Sequence, residues 1–286
     1  MASRYLVTGA TGMLGTDLVI ALQGRQVTAL GRADLDVTDV DAVRAAVAGH
    51  DVVVNAAAFT KVDLAESDEE QAYRVNAIGA GNLATAAAEA GAMLVHYSTD
   101  YVFDGTATTP YAEGAPTHPV TAYGRTKAEG ERLAMEGNPG HTIVLRTAYL
   151  YGQHGGNFAA TMMALAASHP TVSVVTDQVG QPTWTVDVAA KTVELLDSGA
   201  GVGIFHATSS GQASWFDFAS AIFEGTGLDR TRVLPTDSTT FVRPAPRPAY
   251  SVLGHSRWAE VGLAPIRDWR DALRDAISRG AVVAAG

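Results

Sequence analysis

Tyr5-Leu6-Val7 is a short apolar run, and the turn Thr8-Gly9-Ala10-Thr11-Gly12-Met13-Leu14-Gly15 follows it at once. Met13 to Leu22 then reads as a helix. A strand that passes through a glycine-rich turn straight into a helix leaves few folds open, because the next strand returns parallel to the first. Gln26-Val27-Thr28-Ala29-Leu30 suits that strand. Thr38 followed by Asp41 resembles a capping box and opens a helix through Ala48. Asp51-Val52-Val53-Val54-Asn55 is an unalternating Val run of the kind that parallel sheets bury on both faces. Asp68 to Ala90 reads as a long helix, Met93 to Tyr97 as a fourth strand, Ala122 to Ala134 as a helix and Thr142 to Leu145 as a fifth strand. This alternation predicts an α/β fold with a doubly wound parallel sheet over residues 1–151.

After Tyr151 the texture changes. Asn157 to Ala166 and Val186 to Ser198 still read as helices, with short strands at Val172 to Val175 and Ile204 to His206. Arg243-Pro244-Ala245-Pro246-Arg247-Pro248 cannot be regular helix. The last helix runs from about Asp268 to Arg279, and the Ala/Gly tail beyond it is expected to fray. Residues 152–286 therefore read as a smaller C-terminal α/β lobe that binds substrate, with some segments returning to the first domain. No tether separates the two.

A chain of 286 residues with 47% hydrophobic content can bury a core of that size. The formal net charge of -10 argues against nucleic acid and anionic membranes as partners. A local Arg cluster or a helix N-terminus can still hold an anionic ligand. With no Cys there is neither disulfide nor thiol chemistry. Met1-Ala2-Ser3-Arg4 leads directly into the first strand, so no signal peptide is expected, and no apolar stretch has the length of a membrane span. The expectation is a soluble, cytoplasmic protein.

Gly9, Gly12 and Gly15 lie between strand and helix, where a dinucleotide pyrophosphate would meet free amides and a partial positive charge. The second strand ends at Gly31-Arg32, not at an acidic residue. Arg32 suits a 2′-phosphate by charge and by its planar fork, although a solvated surface Arg would look the same. Asp36-Val37 follows where related folds set a residue beside the adenine. Asn55-Ala56-Ala57-Ala58 supplies the small residues that a flat cofactor needs. Tyr123 and Lys127 are one helical turn apart, so both project from one helix face. An ammonium beside a phenol lowers the phenol pKa and readies it for proton exchange with a carbonyl under reduction. A surface Tyr and Lys on a polar helix would show the same spacing. The glycine turn upstream favours the chemical reading.

The chain resembles the extended short-chain dehydrogenase/reductase family, a Rossmann-like fold, and within it the dTDP-4-dehydrorhamnose reductases. The resemblance is carried by Asn55 to Asp63, His96-Tyr97-Ser98-Thr99-Asp100-Tyr101-Val102-Phe103-Asp104-Gly105, Tyr123 to Lys127, Arg146 to Gly152, Gln178 to Thr183 and Arg243 to Pro248. It implies a set of roles. Thr99 hydrogen-bonds the sugar carbonyl, Tyr123 donates the proton, and Lys127 holds the nicotinamide ribose and lowers the Tyr123 pKa. Gly12, Met13 and Leu14 touch the pyrophosphate; Ala58, Phe59 and Thr60 touch the cofactor, NADPH or else NADH. Asp100 and Tyr149 meet the sugar, Tyr149 standing where the family usually has Trp. Asn157, Gln181, Thr183 and Arg247 serve the nucleotide half of a dTDP-sugar. Asn76 sits on the long helix where the wider family often has a helper Asn, but it reads instead as a helix-surface Asn with satisfied bonds.

Some members of the family bind magnesium at a dimer contact. Asp17 stands at one such position, but the full carboxylate set is missing, so neither metal nor that dimer is expected. His96, His118 and His206 lack metal-ligand spacing and read as structural. The expected activity is reduction of the C4 ketone of a dTDP-4-keto-6-deoxy-sugar to dTDP-L-rhamnose or a relative. Two alternatives stand beside it. One is a nucleotide-sugar epimerase or dehydratase, which Arg32 and the Ser98-Thr99-Asp100 run oppose. The other is a non-catalytic regulatory subunit like that of methionine adenosyltransferase.

Overall fold

The computed structural model describes residues 3–283. The first half of the chain runs β1 (Arg4–Thr8), α1 (Met13–Ala21), β2 (Gln26–Leu30), α2 (Val40–Val47), β3 (Val52–Asn55), a short α3 (Val62–Ala65) and α4 (Glu69–Tyr73). A π turn (Arg74–Ile78) carries α4 into α5 (Gly79–Ala90), followed by β4 (Met93–Thr99), α6 (Ala122–Gly137) and β5 (Thr142–Thr147). The second half holds β6 (Leu150–Tyr151), α7 (Phe158–Ser168), β7 (Val172–Val175), β8 (Val179–Gly180), β9 (Thr183–Trp184), α8 (Thr185–Ser198) and β10 (Gly203–His206). It continues through β11 (Ser209–Ser210), β12 (Ala213–Ser214), α9 (Trp215–Gly225), β13 (Val233–Thr236), α10 (Ser256–Glu260), β14 (Ile266–Asp268) and α11 (Trp269–Ser278).

Six strands form one sheet in the order β10-β5-β4-β3-β1-β2. Every pairing in it is parallel. The chain winds outward from β1 to β2, then crosses back to β3 on the other side of β1. The crevice outside the carboxyl ends of β1 and β3 is thus a topological switch point, where such sheets bind ligands. One face buries Val7, Leu18, Val54, Leu145 and Phe205 beneath α1 and α8. The other buries Leu6, Val43, Val53, Leu83 and Leu94 beneath α2 and α5. A second core packs Tyr151, Trp184, Phe218, Phe223 and Trp269 among the later elements. β10 and α8 belong to the first sheet and its helix layer although they come late in the chain.

The structure corrects several expectations and adds one short helix. The cap of α2 is Asp39, which accepts from the Asp41 and Ala42 amides; Thr38 instead bonds to Asp36. Asp39 stands next to the helix, so its short carboxylate reaches those amides first. The helix after Asp68 contains the π turn, whose extra residue rotates Asn76 inward. Asn76 is buried, not on the surface, and its bonds are satisfied by Phe59 and Thr126. α3 went unread because four residues show no period. Beyond α11, Ala281 and Val282 are buried in the second core instead of frayed; residues 284–286 lie outside the described ones.

Candidate active site

The glycine turn is fixed by close packing at two points. Gly9 has φ +67°, and a Cβ there would stand 2.6 Å from the Ala56 backbone. A Cβ on Gly15 would meet the Gly9 carbonyl oxygen at 2.1 Å. Both glycines therefore bring β1, β3 and α1 together, while Gly12 lines both of the cavities described next. Gly12 is the N-cap of α1, with no side-chain cap and no acid in the first turn. The free amides of that turn are left for an anion.

Two cavities meet at Gly12, Ala56 and Ala58. The first, about 300 Å³, is lined by Gly9, Gly12, Arg32, Asp36, Val37, Ala58 and Phe59, among others. Arg32 and Arg74 help hold the Asp36 carboxyl low, after its bonds to the Thr38 amide and hydroxyl. The second, about 600 Å³, takes in Met13, Leu14, Gly15, Thr60, Thr99, Asp100, Tyr123, Lys127 and Tyr149. A long, flat space over small residues, with free amides midway and a guanidinium at one end, fits NADP. The structure brings the expected cofactor and reaction residues together along it.

β4 delivers Thr99 at its carboxyl end, and α6, capped by the Thr121 hydroxyl, presents Tyr123 in its first turn. Thr99 Oγ1 donates to Asp100 Oδ1 at 3.0 Å. Ser251 Oγ donates to the other Asp100 oxygen at 2.5 Å. Burial pushes the Asp100 carboxyl up to about 6 against these bonds. Lys127 is 2% exposed and donates to the Tyr97 carbonyl oxygen at 2.5 Å. Burial pushes it down to about 8, with Glu131 pulling the other way.

The expected depression of Tyr123 by Lys127 is absent. Tyr123 is partly exposed at the cavity wall, yet loss of water around the phenol pushes it up to about 12, and Thr99 offsets this only in part. The ammonium is spent on Tyr97, so the phenol keeps its proton through neutral pH.

Tyr149 adopts φ 46°, unusual for a ring-bearing residue. Its ring stacks on Trp215 at 3.7 Å between centroids, and Gly180 leaves room for it. Trp215, absent from the sequence reading, borders this cavity and a third of about 340 Å³ that also holds Phe158, Gln178, Phe241, Arg243 and Arg247. Ser214-x-x-Asp217 is a capping box, and that signal could have placed Trp215 at a helix start.

Arg247 reaches the third cavity already bound to Asp63 at 2.9 Å. Arg243 lies 3.6 Å from the same carboxylate and is far more exposed, 62% against 19%. The other three nucleotide candidates do not line any of these cavities. Asn157 caps α7 and donates to the Gly152 and Gly155 carbonyls. Gln181 is buried against Leu253 and Thr208. Thr183 bonds to Gln181 and accepts from the Ser209 amide. These side chains spend their donors and acceptors in joining segments of the chain. Asp17 is buried and bonded to Thr185.

Comparison with known proteins identifies the family. The family described as "RmlD substrate binding domain" matches residues 3–282. The chain is 49% identical over 280 residues to a dTDP-4-keto-6-deoxy-D-glucose reductase from Streptomyces niveus, covering 96% of this chain and 97% of that protein. It is also 49% identical to a dTDP-4-dehydrorhamnose reductase from Mycolicibacterium smegmatis, covering 97% and 86%. A crystal structure of dTDP-4-dehydrorhamnose reductase from Bacillus anthracis, in complex with NADP, superposes with a TM-score of 0.92 at 33% identity, covering 98% of this chain and all of that one. The chain belongs to the dTDP-4-dehydrorhamnose reductase family.

Proposed function

We propose that the protein is an NADPH-dependent reductase of the C4 ketone of a dTDP-4-keto-6-deoxy-sugar, with dTDP-4-dehydro-L-rhamnose as substrate and dTDP-L-rhamnose as product. The observation that carries this is the convergence of Thr99, Asp100, Tyr123, Lys127 and Tyr149 on one cavity that continues into the glycine turn. NADPH, lying along Gly12 to Leu14 and Ala58 to Thr60 with Arg32 at its phosphate end, supplies the hydride. Thr99 and Tyr123 face the carbonyl oxygen and stabilise the charge that develops on it. Tyr123 then gives up its proton, which its raised pKa keeps in place until an alkoxide forms. Lys127 holds its end of the cavity through the Tyr97 carbonyl.

The third cavity takes the nucleotide half. Trp215 and Phe158 offer flat apolar faces to a base, and Arg243 and Arg247 offer charge to a diphosphate in an acidic chain. Arg243 is the freer cation: both arginines share Asp63, but Arg243 is more exposed and lies farther from it. The substrate class supports a cytoplasmic place as part of this reading.

NADPH oxidation on addition of a dTDP-4-keto-6-deoxy-sugar tests the proposal. If the sugar elicits no oxidation although the protein binds NADPH, the regulatory-subunit reading takes its place. Arg32→Ala should weaken NADPH roughly ten- to a hundredfold, the worth of a hydrogen bond to a charged group, and leave NADH nearly unchanged. Fluorescence titration of both cofactors decides it. Equal loss of both, or of neither, makes Arg32 a solvated surface residue.

A further inference from the structure

His96 takes no part in the steps above, yet it lies buried beneath them. Its partner across the β3–β4 pairing is Asn55, and Asn55 Nδ2 is 3.0 Å from His96 Nδ1. The direction of that bond is set at the other end of the amide. Asn55 Oδ1 accepts the Ala57 backbone N–H at 3.1 Å, and a backbone N–H can only donate. The Thr8 hydroxyl reaches the same oxygen at 2.8 Å. The amide therefore cannot turn over, Nδ2 is the donor, and His96 Nδ1 must offer a lone pair. Burial and the nearby Lys127 hold the His96 pKa well below the ordinary histidine value, so the ring is neutral. Its single proton then sits on Nε2.

His96 Nε2 lies 3.4 Å from Lys127 Nζ. An N–H is thus aimed at the lysine nitrogen. A neutral amine can accept it; an ammonium meets it proton against proton. We propose that His96, fixed by Asn55 with its proton on Nε2, is a positioning residue that sets where Lys127 gains and loses its charge.

The other groups around Lys127 do not do this. Glu131, one turn along α6, favours the ammonium but is held by Arg146 from β5. Asp100 borders the same cavity and also favours a cation, while Tyr123 stays uncharged. β3 and the π turn contribute the neutral Asn55 and Asn76 here, while Arg74 of the π turn is exposed and acts on Asp36. Burial already pushes Lys127 down to about 8, with Glu131 pulling the other way; an N–H held 3.4 Å from the amine opposes the ammonium further, so the ammonium is lost as pH rises. The link to ionisation stands by itself; a link to turnover rests on the reductase reading.

The test is nitrogen and carbon NMR on the isotope-labelled full chain, with Lys127→Met to assign the lysine signal. In the wild type, His96 should show a protonated Nε2 and a bare Nδ1 across neutral pH. In His96→Gln the side-chain oxygen can turn to the ammonium. The Lys127 midpoint should then rise by about one pH unit or more, and the basic limb of kcat should move with it. A ring proton on Nδ1, a doubly protonated ring near neutral pH, or an unmoved or lowered Lys127 midpoint in the variant overturns the proposal. Should His96→Gln fail to fold, the wild-type ring signals decide alone. If the NMR results hold and no substrate turns over, the reductase reading fails and this one does not.

Discussion

Tyr123→Phe should lower turnover by roughly 10²–10⁴, the usual worth of a positioned general acid. The change removes one oxygen and keeps the ring, which packs edge-on to Tyr101 with centroids 5.8 Å apart. NADPH affinity should hold, because the glycine turn and Lys127 are untouched. The size of the loss follows from the site. The phenol sits at about 12 and so stays protonated throughout the working range. Thr99 shares its proton with Asp100 and is a much poorer acid. Steady-state kinetics with separate cofactor titration would measure both effects. A variant that turns over near the wild-type rate would remove Tyr123 from the mechanism.

Arg146→Met should destabilise the fold by about 3–5 kcal/mol, the cost of leaving a buried charge without its partner. Arg146 and Glu131 are 2% and 6% exposed and pair through two bonds of 2.9 and 2.7 Å. The guanidinium also donates to the Glu113 carbonyl and lies over the Phe103 ring. His206 donates from Nδ1 to the Gly254 carbonyl, which leaves Nε2 to accept from Arg146 at 3.4 Å. Removing the guanidinium strands a carboxylate one turn from Lys127. Pairing the change with Glu131→Met should recover much of the loss, since the second substitution removes the stranded charge. Urea unfolding gives both numbers, and a single-variant loss under about 1 kcal/mol would mean that water or another group replaces the pair.

The sheet and its first cavity were legible because their signals are local. A Val run, a glycine turn and a Tyr-x-x-x-Lys pair each lie within a few residues. Arg32, Asp36 and Val37 follow one strand end and face the cavity together. What stayed hidden depends on distant pairings. Asp63 holds Arg247 across most of the chain, and Ser251 reaches back to Asp100. His96 meets Asn55 only through strand register, so it read as an ordinary interior histidine. Gln181 and Thr183 belong to a recognisable stretch, but a stretch does not reveal whether its polar atoms face a ligand or one another. The π turn is hidden for a related reason: one extra residue leaves the helical pattern almost intact while turning Asn76 inward.

The central claim is that a hydride reaches the sugar C4 and Tyr123 completes the alcohol. The most direct measurement supplies NADPH deuterated at the transferable nicotinamide position, together with dTDP-4-dehydro-L-rhamnose, and locates the label in the product. The account predicts one deuterium at C4 of dTDP-L-rhamnose, one NADP formed for each sugar, and in Tyr123→Phe roughly 10²–10⁴ times less product over the same interval, still labelled at C4. Unlabelled product at C4, or a changed sugar with no NADPH consumed, would contradict it.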